Sequence, residues 1–443
     1  MKAFRFRDYV GSMAIAAVAV VAVSCSENEE VAPAGDSRAL TSITVSGLIN
    51  ANTTWTADVV NLVGKVYVTN GATLTIQAGT KVVGAYNENP DNASALIITR
   101  NAKINAVGTV SNPIVMTSED THQTPGGWGG LVILGNAPIN QTTTQYIEGI
   151  QPSSVPAGVD VSYGGNVSND NSGTLQYVRV EHAGANIADN NELNSFTFGG
   201  VGSGTTVDHC QAYYGEDDGF EFFGGTVNAK YLVSTSTHDD AFDFDFGFSG
   251  TLQFLVATID KNSTFYTKDP NGIECDNDGA SSSYTPYTHP KISNLTVVGT
   301  SNGLVAKSAN EDLLNGLKSC ANFRRNCQFT LVNSILYGYP TGILCQTSNS
   351  NVFKNNIVNG VSTTFSGITP DATNTAATSV TAIGLTLPWG TAYRGAALQP
   401  KVTSSAATGA SFTDLTGFTS VAYQGALAPV GQTNWLGEGT WVK

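Results

Sequence analysis

Two acidic, aromatic segments of this chain superpose on each other with a shift of 22 residues. One is Gly215-Glu216-Asp217-Asp218-Gly219-Phe220-Glu221-Phe222-Phe223-Gly224-Gly225. The other is Thr237-His238-Asp239-Asp240-Ala241-Phe242-Asp243-Phe244-Asp245-Phe246-Gly247. A weaker copy, Asn191-Glu192-Leu193-Asn194-Ser195-Phe196-Thr197-Phe198-Gly199-Gly200, lies 24 residues upstream of the first. A short repeat rich in Gly and β-formers belongs to a solenoid, in which each coil buries its apolar face only by stacking on the next. Asn333-Ser334-Ile335-Leu336 and Asn355-Asn356-Ile357-Val358, 22 residues apart, keep the same pitch late in the chain. The sequence therefore predicts an all-β solenoid of about 22–24 residues per coil.

Short alternating strands begin near Ile43. Val66-Tyr67-Val68-Thr69-Asn70-Gly71-Ala72-Thr73-Leu74-Thr75-Ile76 alternates apolar and polar residues, so one side of each strand faces inward. A related unit runs from Leu96 to Thr109, and the polar insert Asn87 to Ser94 accounts for its extra length. Further coils start near Leu175, Val207, Tyr231, Leu252, Ile292 and Leu331. The phrase Asn70-Gly71-Ala72-Thr73-Leu74-Thr75-Ile76 with Gly79-Thr80 resembles the opening coils of right-handed parallel β-helix proteins. That fold is expected over residues 43–386; a β-sandwich or propeller would need longer, antiparallel repeats. A short outer helix is predicted within Ala309 to Cys327, around Glu311-Asp312-Leu313-Leu314. The tail 387–443, with Trp435 and Trp441, reads as a cap over the last coil, because an open end would expose core and strand edges. An aromatic tail can also bind sugars.

The amino terminus carries an export address. Lys2, Arg5 and Arg7 precede an apolar stretch from Gly11 to Ser24, too short to be a convincing span. Ala22-Val23-Ser24-Cys25 resembles a bacterial lipobox, with Ala22 where Leu is usual, which makes residues 1–24 a signal peptide and Cys25 the lipidation site. Ser26-Glu27-Asn28-Glu29-Glu30 opens an acidic tether over 25–42 and resembles the surface-export signal of Bacteroidota lipoproteins. The resemblance implies an outer-membrane, lipid-anchored protein at the cell surface. Five more cysteines, Cys210, Cys275, Cys320, Cys327 and Cys345, leave an odd count; Cys320–Cys327 and Cys327–Cys345 are both open as disulfides.

Charge excludes one class of partner. Charged residues make up 13% of the chain and the formal net charge is -14. Without residues 1–24 the chain keeps 18 basic and 34 acidic residues, a net of -16. Such a surface repels polyanions and argues against nucleic acid.

The acidic residues concentrate in the repeat. Phe242, Phe244, Phe246 and Phe248 alternate and are expected inside, with Asp243 and Asp245 outside. Stacking then sets Asp217 beside Asp239, Asp218 beside Asp240, and Glu221 beside Asp243, with strands about 4.8 Å apart. Like charges so placed repel. Three readings follow. The aspartates hydrogen-bond turn amides. The group Asp217, Asp218, Glu221, Asp239, Asp240 and Asp243 holds Ca²⁺, whose ligands are oxygens. Or Asp217, Asp218, Asp239 and Asp240 are catalytic carboxylates of a glycosidase. Asp276-Asn277-Asp278-Gly279 is a second oxygen-rich loop.

Gly215-Glu216-Asp217-Asp218 resembles the Gly-x-Asp-Asp phrase of β-helical polygalacturonases, although that family's Asn-Thr-Asp, Gly-His-Gly and Arg-Ile-Lys phrases are missing. β-Helical polysaccharide lyases pair Ca²⁺ with a Lys or Arg base, for which Arg179, Lys230 and Lys261 are the candidates here. His182, His209 and His238 lie nearby in sequence. The mature chain resembles, through Glu221-Phe222-Phe223-Gly224-Gly225-Thr226-Val227-Asn228-Ala229-Lys230 and Asp239 to Asp245, a group of β-helix surface lipoproteins of Bacteroidota and marine bacteria. The expected function is non-catalytic binding of a glycan or an envelope protein. The alternatives are a polysaccharide-degrading enzyme and an accessory subunit of an outer-membrane assembly or uptake complex.

Overall fold

Successive coils pair in parallel and in register. Phe196 pairs with Phe220 and Phe220 with Phe242; Val207 pairs with Ala229 and Ala229 with Leu252. A computed structural model describes residues 40–443 apart from 189–190, 265, 267–269, 306–316, 380–382 and 386–397. Cys25 and the tether to residue 39 lie outside the described residues. Strands from Ser42–Ile49 to Thr375–Ala376 join one parallel sheet wound into a right-handed β-helix. Two small antiparallel pairs, Gln145–Tyr146 with Ser162–Tyr163 and Asn186–Ala188 with Asn191–Glu192, sit on loops outside it.

The coil has three faces. The first stacks Ala95–Ile98, Gly130–Leu134, Phe196–Val201, Phe220–Gly225 and Phe242–Asp245. The second and third are the two halves of longer strands such as Gly173–Glu181, Thr206–Tyr213 and Asn228–Thr235. Between the halves each coil bends through one residue at positive φ: Tyr177, His209, Tyr231, Phe254, Asn294, Asn333 and Asn355, with φ between 50° and 62°. Asn tolerates this region; Tyr, His and Phe rarely enter it. Here the rings compensate by stacking along the outside, Tyr177 on His209 at 4.6 Å, His209 on Tyr231 at 4.3 Å and Tyr231 on Phe254 at 5.0 Å.

Inside the first face the phenylalanines form the expected ladder. Ring centroids lie 4.7 Å apart for Phe196–Phe220 and 4.9 Å for Phe198–Phe222, and Phe242 and Phe244 continue both columns. Such offset stacks add to the burial of large apolar area. Phe246 departs from the expected pattern. Its φ of 49° ends the strand and turns the ring outward against Phe223 at 5.7 Å, while Phe248 returns to the core. The Gly224–Gly225 pair before the next turn is dictated by space, since a Cβ on Gly225 would lie 2.4 Å from the Val201 carbonyl oxygen.

The short helix predicted around Glu311 to Leu314 lies outside the described residues; further along the same insert, Ser319–Phe323 is a buried strand paired with Glu274–Cys275. Two other expectations need correction. The five cysteines are buried free thiols, because they point into the coil: Cys275 and Cys327 hydrogen-bond each other as thiols, and neither of the expected disulfides forms. The described tail, 398–443, does not stop over the last coil. It runs back along the outside from Asn355, where the Gln424 side chain docks, to Val110, whose carbonyl accepts from Thr440 N at 2.9 Å. Trp435, Leu436 and Trp441 cover Val233, Phe254 and Val256. An apolar strap along a flank buries more surface than a plug at one end.

Candidate functional site

On the first face, the residues that alternate with the phenylalanines form an outward column: Thr197, Glu221, Asp243, Glu274 and Asn322, each paired with the next. Beside it, at the turn that enters the face, runs a second column: Asn194, Asp218, Asp240 and Asn271. The side chains of Asn194, Asp218 and Asp240 each accept the backbone N–H of the next coil. Asn194 Oδ1 accepts from Asp218 N at 3.1 Å, Asp218 Oδ1 from Asp240 N at 2.8 Å, and Asp240 Oδ1 from Asn271 N at 2.6 Å. Asp218 and Asp240 are thus rungs of a backbone-bonding ladder, which is what the turn-amide reading expects of Asp.

The rungs differ in what their second atom meets. Asn194 Nδ2 donates to Glu221 Oε2, a complementary pair. One coil on, Asp218 offers an oxygen where Asn194 offers an amide, and it groups with Glu221 and Asp243; Asp240 groups with Asp243 and Glu274. Asp217, Asp218 and Asp239 form a third group, and within each group the carboxylate oxygens lie within 4.8 Å of one another. The structure therefore brings all six residues singled out from sequence into one patch, with Glu221 directly opposite Asp243.

This juxtaposition is electrostatically unfavourable without a counter-ion. Burial, then mutual repulsion, pushes the carboxyls of Asp217, Asp218, Glu221 and Asp240 well above the usual carboxylate range. Asp243 is pushed up to about 7, by burial first and Asp276 next, with Arg324 opposing. Asp245 is raised by burial and by Asp243. At neutral pH such a site holds protons or a cation. An all-oxygen donor set suits a hard divalent ion such as Ca²⁺.

Sequence reasoning missed the cationic end of the patch. Arg324 Nη2 pairs with Glu274, its Nε contacts Asp276 Oδ1 at 2.9 Å, and Arg325 Nη1 contacts Asp276 Oδ2 at 2.7 Å. These pairs join residues 48 to 50 positions apart, across an excursion that hides the repeat. The signal available was the Arg324-Arg325 doublet in a chain with 21 basic residues. The expected bases lie elsewhere. Arg179 pairs with Glu181 at 2.5 Å and reaches the Trp441 carbonyl; Lys230 Nζ donates to Thr419 Oγ1 at 2.7 Å; Lys261 is exposed on a loop.

The histidines also serve other places. His209 stands in the outer aromatic stack. His182 is buried against Tyr213, and burial lowers its imidazole to about 4. His238 is fully buried with Nε2 2.9 Å from Ser263 Oγ and Nδ1 3.7 Å from Glu216. Asp278 of the second oxygen-rich loop accepts from Ala280 N and Ser282 N, both at 2.9 Å, so it shapes its own turn. The neighbouring Asn277 carbonyl accepts from Asn140 Nδ2 at 2.8 Å, tying this loop to the excursion that follows Leu134.

Parallel coils of this pitch agree with one family model, that of the pectate-lyase-like β-helix domain, which matches residues 47–411. The chain belongs to that family. No curated protein matches it, and no solved structure does. As a pectate-lyase-like β-helix domain, the chain carries its acidic patch on coils at the middle of the matched region. Among the described residues, no helix is long and apolar enough to cross a membrane.

Proposed function

We propose that this β-helix is a lipid-anchored outer-membrane protein of the cell surface that binds an acidic glycan through Ca²⁺, without cleaving it. One observation carries the binding reading. Asp218 and Asp240 each commit Oδ1 to the backbone of the next coil, Oδ2 makes no hydrogen bond among the described residues, and each residue belongs to a carboxylate group. Such oxygens are fixed by the fold before an ion arrives, which lowers the ordering cost of binding. Asp217, Asp218, Glu221, Asp239, Asp240 and Asp243 would hold the ion. Bound Ca²⁺ supplies positive charge with coordination sites open to a uronate carboxylate, which the chain's net charge would otherwise repel. The anchor rests on the lipobox at Cys25 and the acidic run behind it.

The position of Arg324 favours a second reading, a Ca²⁺-dependent lyase, since a cation beside an acidic ion site is what that chemistry uses. Its guanidinium is held by Glu274 and Asp276, which speaks for a structural clamp over a mobile base. The test is retention of the protein on immobilised polygalacturonate and alginate, with Ca²⁺ and with chelator, alongside absorbance for unsaturated products. Binding with Ca²⁺, lost in chelator and in Asp217→Asn/Asp239→Asn, supports the binding reading. Unsaturated products support the lyase. Equal behaviour with and without Ca²⁺ overturns both.

A further inference from the structure

The strap and the coils border an open recess of about 680 Å³ on a flank other than the acidic patch. Its floor is the edge of the outer aromatic stack, His209 and Tyr231. Its walls are Tyr423 and Trp435 of the strap, and the exposed side chains of Gln432 and Thr433 stand at its mouth. The volume falls within the roughly 300–1,000 Å³ of small-ligand sites, which are aromatic-lined with few polar groups.

The polar groups are specific. Tyr231 and Tyr423 line the recess, and their hydroxyls form no hydrogen bond among the described residues. Burial raises both phenols, Tyr423 to about 12, so they remain neutral donors and acceptors. The indole N–H of Trp435 is not available, since it donates to the Ala426 carbonyl at 2.9 Å; the ring contributes apolar surface. Both faces of Tyr231 are covered by His209 and Phe254, so it presents an edge and a hydroxyl. Asp208, hydrogen-bonded to the His209 ring, lies close enough to raise the Tyr231 phenol, so an anionic ligand is disfavoured here.

The walls are held in place independently of any ligand. Asn294 Nδ2 donates to the Tyr423 carbonyl at 2.8 Å, and Gln253 clasps Thr419 through both its amide atoms, at 2.7 and 2.8 Å. The recess is therefore preformed, not left by a loose tail.

We infer that this recess is a second binding site, which takes a glycosyl unit of a neutral glycan by apolar ring contact and hydrogen bonds to the Tyr231 and Tyr423 hydroxyls. A sugar ring offers what the walls ask for: apolar C–H faces, hydroxyls that both donate and accept, and no charge. The site needs no metal and is separable from the acidic patch by chelation.

The test is calorimetric titration of the full chain, in chelator, with cellohexaose, xylohexaose, mannohexaose and laminarihexaose, read in parallel by tryptophan fluorescence. Trp55 and Trp128 are buried in the core, so in a Trp389→Phe background a fluorescence change reports on the strap. Saturable binding of at least one sugar is expected. It should weaken about tenfold in Tyr423→Ala and by about two- to tenfold in Tyr231→Phe/Tyr423→Phe, which keeps the ring packing and removes only hydroxyls. Asp218→Asn/Asp240→Asn should bind as the unaltered chain does. Absence of saturable binding by all four sugars overturns the inference. So does binding that is indifferent to both tyrosine variants.

Discussion

Two ladders of side-chain-to-backbone hydrogen bonds run along the coils, one acidic and one neutral. In the neutral ladder, late in the chain, Ser334 Oγ accepts from Leu295 N at 3.1 Å, Asn356 Oδ1 from Ser334 N at 2.9 Å, and Asn374 Oδ1 from Asn356 N at 3.1 Å. The amide nitrogens are used as well: Asn356 Nδ2 donates to the Leu331 carbonyl and Asn374 Nδ2 to the Phe353 carbonyl, both at 2.8 Å. Every polar atom serves the fold. In the acidic ladder the bond runs the other way, toward the next coil: Asp218 and Asp240 each accept a backbone N–H with one oxygen, and both residues sit among further carboxylates. An Asn rung would have done the structural work without repulsion. The difference marks which ladder does something besides holding coils together.

Exchanging the rungs breaks the comparison directly, and the largest effect is expected where a charge enters the neutral ladder. Asn356 is fully buried. Asn356→Asp would turn a donor facing the Leu331 carbonyl into an oxygen, leaving that acceptor unpaired and burying a charge. A loss of about 3 kcal/mol at neutral pH is expected in urea unfolding, with no recovery on adding Ca²⁺. An unchanged midpoint would mean that either residue serves at a rung, and the acidic ladder would lose its significance.

The reverse exchange should have a smaller effect of the opposite sign. Asp218→Asn/Asp240→Asn keeps each Oδ1 for the backbone and removes two charges from the patch. In chelator the variant should be about 1–2 kcal/mol more stable than the unaltered chain, because like charges at close range are relieved. The gain in melting temperature on adding Ca²⁺ should disappear. A variant that loses stability in chelator would show that the carboxylates make interactions that an amide cannot replace.

The sequence made the contents of the acidic patch legible but not its division of labour. The 22-residue repeat put Glu221 opposite Asp243 and Asp218 beside Asp240, because register follows from pitch alone. Arg324 and Glu274 were not legible together, since excursions between coils erase the period that would have aligned them. The bend column was hidden for a different reason. Tyr177, His209, Tyr231, Phe254 and Asn294 share a backbone conformation but no residue type, and only stacking makes φ > 0 tolerable for the aromatic ones. The tail misled because Trp435 and Trp441 signal burial without saying against what; the flank they cover is assembled from many coils. Phe246 kept the alternation in sequence and broke it in space, through a single positive φ.

The smallest expected effect, and the one that sharpens the comparison most, is the pH dependence of the Ca²⁺ response. Carboxyls raised in the folded state, Asp243 to about 7 and Asp276 to about 6, retain protons that the unfolded chain releases near its ordinary values. The folded state then binds more protons, so their contribution to stability falls as pH rises through that window. The buried histidines act in the opposite sense. His182, His238 and His289 are held below the usual imidazole range, so they favour folding more as pH rises toward about 6.5. Comparing melts with and without Ca²⁺ at each pH cancels the histidines, which lie outside the carboxylate groups. Ca²⁺ must displace the shared protons, so its gain should be near zero at pH 5 and reach about 3 °C at pH 8 with saturating ion. The Asn-rung variant should show a flat difference across the same range. A Ca²⁺ gain that is equal at pH 5 and pH 8 would mean that the ion sits away from Asp218, Asp240 and Asp243.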